Sequence, residues 1–398
     1  MNRALLLVGC LLCLALPAAA MAGPAAPAAL DESPPAATEP TQVLNETPRM
    51  LTLGEPTAQG YNATEFDPGV AFSMDGAELD GTFERYRLVA DIENASTDAE
   101  RQRALSTALG RLESRVDALR QRERAAARAY AAGDISERAF LQRLGRIHAS
   151  ATTLKDTADA VLAISRTTGE AEFQRANTVS RAAEALTGPL RRTLAAGLTA
   201  RAGAETVYTA VTPNGVVLAT VEDRTGGVTY VRETVRFDNR DDDGSTTFES
   251  ASAFYEFMAD RYPMATSGPP SLSIAFPGSI HRFDVRHAQG TLTAYTDGST
   301  RAVFREVHTL RVADLPVEAS ANTTEDGLAV RVNRTFPGGP VEVTVRNRLG
   351  DPVSATVHVA DRRVGGTGPD GHVWTVAPHG TYTVTATSGE ATVNLTVG

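Results

Sequence analysis

Cysteine is nearly absent from this chain of 398 residues: Cys10 and Cys13 are the only two. Both lie in an apolar run from Ala4 to Leu16, so everything downstream is without disulfides and thiolate metal sites. Lysine is scarcer still, Lys155 being the sole example among 38 basic residues. A basic surface for nucleic acid is excluded by the net charge of -10. After the first run, no apolar stretch of about 18 residues recurs, which excludes a second membrane-spanning helix. Catalytic templates are missing too: there is no G-x-S-x-G, H-E-x-x-H, P-loop or dinucleotide glycine set.

The apolar run itself, with Arg3 before it and Ala18, Ala20 and Ala22 after it, has the layout of a secretory signal over residues 1–22. It predicts cleavage after Ala20 or Ala22 and export of the remainder. "LVGC" (7–10) resembles a lipoprotein processing box, but only six residues precede it and the apolar run continues past it. The acid excess, with 48 acidic against 38 basic side chains and almost no lysine, resembles haloarchaeal proteins, whose acidic surfaces stay hydrated in strong salt. Six of eleven asparagines begin an N-x-Ser/Thr triplet: Asn45, Asn62, Asn94, Asn322, Asn333 and Asn394. Since Ser and Thr form about a sixth of the chain, chance supplies about two, and the excess predicts N-glycosylation.

Period and composition divide the rest of the chain into segments. Residues 23–78 open with a Pro, Ala and Thr-rich stretch lacking periodicity, and are expected to be a flexible stalk with an irregular lead-in. Residues 79–200 read as helical. Leu105, Leu109, Leu112, Val116 and Leu119 alternate steps of four and three, as do Phe140, Leu144, Ile147, Ala151, Leu154, Ala158 and Val161. Between them "YAAGDISE" predicts a left-handed stop at Gly133, a cap at Asp134 and a capping box completed by Glu137. A short connection makes these helices antiparallel neighbours in a coiled-coil hairpin or bundle. Phe83, Tyr86, Val89 and Ile92 mark a shorter helix, and Pro189 is expected to kink the last one. Every apolar stripe is expected to be used internally, the alternative being an exposed helix face that serves as a docking surface for another chain.

Residues 203–315 change to strand period with one helix near 247–263, which predicts an α+β domain of antiparallel sheet. Residues 316–398 alternate apolar and polar, as in Val341, Val343, Val345 and Tyr382, Val384, Ala386, and predict a β-sandwich with Asn394 and His358 outward. Gly350, Pro352 and Val353, the turn at 367–371, and Pro378, Gly380, Tyr382 and Val384 resemble carboxypeptidase-regulatory-like domains, a transthyretin-type sandwich similar to Ig-like modules. That resemblance implies spacing, stability or adhesion and carries no catalytic residues.

Two local motifs bear on chemistry. In "DNRDDDGSTTFES" (238–250), Asn239, Asp241 and Asp243 precede Gly244 as in a calcium loop, with Glu249 placed to reach back. Position 12 is Ser250 rather than the glutamate an EF-hand needs, and the entering element is a strand. The alternative is a solvated acidic loop in which Ser245, Thr246 or Thr247 caps the helix. Calcium in either case is structural; no other cofactor is implied. In "HRFDVRH", His281 and His287 are roughly 20 Å apart along one strand and cannot share one ion there, although His308 could pair with one of them. Taken together, the residues predict an exported cell-envelope protein with a structural or interaction role toward envelope proteins or glycans. The alternative is an extracellular hydrolase with its site in the α+β domain.

Overall fold

The computed structural model describes residues 47–203, 205–241, 244, 246–266, 271–276 and 278–398. The expected signal, Asn45, Asp243 and Ser245 therefore lie outside the described residues. The protein is multidomain: a helical region, an antiparallel sheet with helices, and a C-terminal β-sandwich.

The lead-in departs from expectation. Ala58–Ala63 forms strand β1, and Pro68–Glu93 forms a 26-residue helix, α1. Strand β1 pairs antiparallel with β2 (Thr206–Thr212), and the Tyr61 ring packs tilted against Tyr208 with centres 5.2 Å apart. "AQGYNA" has no strand pattern of its own; it is a strand because β2 offers an edge. Asp67 begins α1 by accepting the Val70 amide at 3.1 Å, with Pro68 in the first turn.

Helices α2 (Asp98–Ala131) and α3 (Glu137–Ser165) form the predicted pair, joined through Gly133 at φ +79°. All twelve residues of their two expected seams are buried. The capping box falls elsewhere, on Thr97 and Glu100 at the start of α2. Helix α3 is capped by Ser136 instead of Asp134, so Glu137 is the first helical residue and turns toward β1. Pro189 breaks the last helix instead of kinking it, giving α4 (Glu170–Glu184) and α5 (Pro189–Leu198). Pro189 has no amide hydrogen to continue the earlier ladder but suits the first position of a new helix.

Strands β3 (Gly215–Arg224) and β4 (Gly227–Arg236) come next, then helices α6 (Ala251–Arg261) and α7 (Pro263–Thr266). Strands β5 (Ser271–Ala275), β6 (Ile280–His287), β7 (Gly290–Asp297) and β8 (Ala302–Arg311) complete one eight-stranded sheet of order β1-β2-β3-β4-β8-β7-β6-β5. The sheet is covered on both faces. Val207, Val211, Val216, Leu218 and Val231 pack among Phe140, Leu144, Leu190 and Leu194 of the helices. From alternate positions, Tyr208, Val217, Tyr230 and Leu310 join the sandwich core. Beside them, Phe283, Leu292 and Val303 meet Phe254 and Met258 of α6.

The sandwich has four-stranded sheets of order β14-β11-β10-β9 and β13-β12-β15-β16. Its strands are β9 (Ala319–Glu325), β10 (Leu328–Arg334), β11 (Pro340–Asn347), β12 (Thr356–Val359), β13 (Arg362–Gly366), β14 (His372–Val376), β15 (Tyr382–Ser388) and β16 (Ala391–Val397). Val341, Val343, Val345, Val357, Val384 and Val393 are fully buried between them. Asn394 is exposed as its phase requires, while His358 is half-buried.

Candidate functional site

Two charged clusters sit back to back across the paired strands β4 and β8. Strand alternation sends Arg232 and Glu306 to one face and Glu233 and Arg305 to the other. On the helix side, Arg191 of α5 ion-pairs with Glu123 of α2 and lies 3.4 Å from Glu233, while Arg305 donates to Glu233 at 3.0 Å. Glu233 also accepts the Leu190 amide at 2.6 Å, in the first turn of α5, where the helix dipole favours an anion. The break at Pro189 makes that amide available. Gly188 must lack a side chain, because a Cβ there would sit 2.3 Å from the Glu233 carboxylate.

On the opposite face, Glu306 is fully buried and accepts from the Leu51 amide at 2.5 Å, the Tyr262 hydroxyl at 2.7 Å and Arg232 at 3.2 Å. Arg232 donates in turn to the Leu51 carbonyl at 2.9 Å, and His308 lies 3.3 Å from Glu306. Both backbone groups of Leu51 are thus held by side chains, as a neighbouring strand would hold them. Arg49 donates to the Asp260 carbonyl and Arg236 to that of Thr52. Residues 47–57 form a strap clamped across the sheet. Burial alone would raise the Glu306 pKa, but His308, Arg232 and Tyr262 outweigh it and hold the carboxyl low. Tyr262 is pushed well up by burial and by Glu306, and so acts as a donor.

A cleft of about 290 Å³ lies between strap, sheet and sandwich, lined by Leu53, Pro56, Tyr208, Val217, Arg232 and His379. Tyr208 is raised to about 12 by burial and donates to Gln59 at 2.7 Å. Among the described residues no serine or cysteine lines it, and its charged floor is already paired. Thr52 and Glu55, with His379, complete its polar lining.

Two of the sequence-derived metal residues hold protein partners. Asn239 donates its amide to the Val303 carbonyl at 2.7 Å, and Glu249 ion-pairs with Arg301 at 2.5 Å. Asp238 pairs with Arg236. Asp241 is exposed, and among the described residues no group of three His, Asp, Glu or Cys is arranged to hold a metal. Helix α6 is capped by Ser250, which accepts the Ala253 amide at 3.1 Å, not by an earlier hydroxyl. Phe248 is buried against Phe254 at 5.2 Å, which holds back the start of the helix. With arginines already balancing Glu249 and Asp238, calcium or chelator should move the unfolding midpoint by less than about 1 °C. A rise on saturation of the roughly 2.7 kcal/mol class, abolished by Asp241→Ala with Asp243→Ala, would restore the calcium loop.

His281 is fully buried; Nδ1 donates to the Phe276 carbonyl at 2.7 Å, so Nε2 accepts from Thr247 at 3.1 Å, and Phe276 stacks on the ring at 4.9 Å. His287 and His308 line one small gap with Tyr262 and Leu292. Burial lowers His281 to about 4; burial and then His308 lower His287 to about 4. His148, in α3, falls to about 3 through burial and then Arg191 and Arg192. All three bind protons more readily when unfolded, where histidine titrates near 6.5. Their contribution is complete above pH ~6.5 and is lost as pH falls through 4 and then 3. Acid titration of the melting midpoint should show a decline beginning near pH 6.5, softened by His281→Phe.

The five described sequons divide by exposure. Asn94, Asn322 and Asn394 are exposed, as are the hydroxyl residues two positions on. Asn62 and Asn333 are half-buried, and their partners Thr64 and Thr335 are buried. Asn333 is further tied between Ser320 at 2.9 Å and Glu342 at 3.0 Å.

The clamps and shared cores define a class: a sheet protein braced by helices on one face and by an immunoglobulin-like sandwich on the other. The chain belongs to the family described as domain of unknown function (DUF7096), whose model matches residues 1–203. Residues 207–316 match a family of unknown function (DUF7094), and residues 319–395 an archaeal fibronectin-III type-like domain. No curated protein and no solved structure matches. The first family boundary is not a structural one, since β1 belongs to the first match and hydrogen-bonds into the sheet of the second.

Proposed function

We propose that this chain is an exported, N-glycosylated component of a haloarchaeal cell envelope, with a structural role that holds envelope proteins or glycans. The observation that carries the reading is the fibronectin-III type-like sandwich, a module suited to interaction, sharing one hydrophobic core with the central sheet. Tyr230 donates to the Gly338 carbonyl at 2.7 Å and Gln59 to that of His379 at 3.2 Å, tying sheet to sandwich. Further support comes from the apolar N-terminal run, the sequon excess and the acidic composition. Among the described residues no helix is long and apolar enough to cross a membrane.

The test is co-sedimentation of the chain from residue 23 onward with envelope fractions in concentrated KCl. Saturable retention, reduced by deleting residues 319–398, supports the role; no retention, or turnover in an ester, peptide and glycan panel, overturns it. Mass spectrometry of the exported protein should find glycans at Asn94, Asn322 and Asn394. Asn62 and Asn333 should remain bare where modification follows folding.

A further inference from the structure

The expectation that every apolar stripe is used internally fails on α1. Its inner face buries Val70, Met74, Leu88 and Ile92 against the bundle. The outer face leaves Phe72 79%, Leu79 57%, Phe83 65% and Tyr86 64% exposed. With Gly76 and Ala90, these fall at 72, 76, 79, 83, 86 and 90, alternating steps of four and three, which is the seam of a two-helix coil. Isolated exposed apolar residues need no explanation, but a stripe along four turns of one helix does.

We propose that this face pairs with the same face of a second copy, antiparallel about a two-fold axis that crosses the stripe midway between Leu79 and Phe83. In that register Phe72 lies opposite Ala90 of the second copy, Gly76 opposite Tyr86, and Leu79 opposite Phe83. Each large side chain meets a smaller one or a neighbour that can interleave, and the contact closes on itself as a two-fold interface must. A parallel pairing sets Phe72 on Phe72 and leaves Gly76 facing Gly76, crowding one layer and emptying the next. Since aromatic side chains each cover about 150–250 Å², two half-exposed stripes bury on the order of 1,000 Å². That is the lower bound for a specific interface. The border of the stripe is mixed in charge, with Asp80 and Arg87 exposed beside it, Arg85 5.3 Å from the centre of the Tyr86 ring and Asp75 paired with Arg201 at 3.1 Å, which suits a second copy carrying both signs better than a lipid surface of one sign.

Gly76 provides a discriminating variant, because a Cβ there meets nothing within 4 Å in the single chain. Gly76→Leu adds helix propensity without a clash in the single chain, so the monomer should keep its fold, yet the new side chain blocks the seat of Tyr86 in the dimer. Residues 23–398 in concentrated KCl, studied by analytical ultracentrifugation, should give a dimer at micromolar concentration. Gly76→Leu and Phe83→Glu should each raise its Kd at least 100-fold without loss of helical signal. These residues contain no cysteine, so Asp80→Cys introduces a single thiol. It should crosslink to its counterpart with a short reagent, whereas Tyr86→Cys should not. A monomer at 100 μM, a dimer indifferent to both variants, or a dimer formed only after removal of residues 23–46 would each overturn the proposal. The last outcome would assign the stripe to the chain's own N-terminal segment.

Discussion

Glu233→Ala is expected to destabilise the folded chain by about 3–5 kcal/mol, the usual cost of leaving buried charges without their partner. Glu233 is the anion shared by Arg191 and Arg305, all three being at most 2% exposed. Its loss also strands the Leu190 amide at the start of α5. At roughly 1–2 °C per kcal/mol for a chain of 398 residues, half the value for one of 150–250, the midpoint should fall by about 5 °C. Glu233→Gln keeps the shape and an acceptor for Leu190 but removes the charge, and should fall between alanine and the parent. Thermal unfolding by circular dichroism in concentrated KCl decides it. A loss below about 1 kcal/mol would mean that solvent reaches the cluster and screens it.

The second large effect is expected on the other face. Glu306→Gln leaves Arg232 buried without a counter-charge and weakens the acceptor for the Leu51 amide and the Tyr262 hydroxyl. A cost of about 3–5 kcal/mol again follows from an uncompensated buried cation. Here the loss has an address. The strap at 47–57 is held by Arg232, Glu306 and Arg236, so limited proteolysis should newly cut within it while the sandwich stays resistant. Glu306 is held below its ordinary range, so its stabilisation is present at neutral pH and fades as pH drops below that of an unfolded glutamate. Global unfolding with no early cut in the strap would show that the strap and sheet open as one unit.

These clusters were invisible in "TYVRETVR" and "VFREVHTL", which read as ordinary charged strands. Outward charges are the normal finding where a sheet has one wet face. Only the covering of both faces turned Arg232, Glu233, Arg305 and Glu306 into internal groups. The same cause explains the strap and β1. Leu51 and Tyr61 carry too little local pattern to announce structure, and they are fixed by side chains and backbone groups more than a hundred residues away.

The capping errors have a smaller cause. Asp134, Ser136, Thr247 and Ser250 are all competent caps, and the choice among them depends on which following residue can first turn inward. Phe248 packs before α6 begins, and Glu137 points at β1, so the later hydroxyl caps in both places. Exposure of Phe72, Leu79, Phe83 and Tyr86 was equally unreadable. The seam is plain in the letters, but a seam does not state whether its partner lies in the same chain.

What the sequence determined by itself was local: the periods that make α2 and α3 helices, the alternation that makes the sandwich, and the order helices, sheet, sandwich. Each rests on one residue's relation to neighbours a few positions away. Tertiary structure alone decided that three stretches share a continuous packing, that four strand charges are buried, and that one helix keeps an apolar face outward. Those outcomes depend on what covers a surface, and coverage is set by elements distant in the chain.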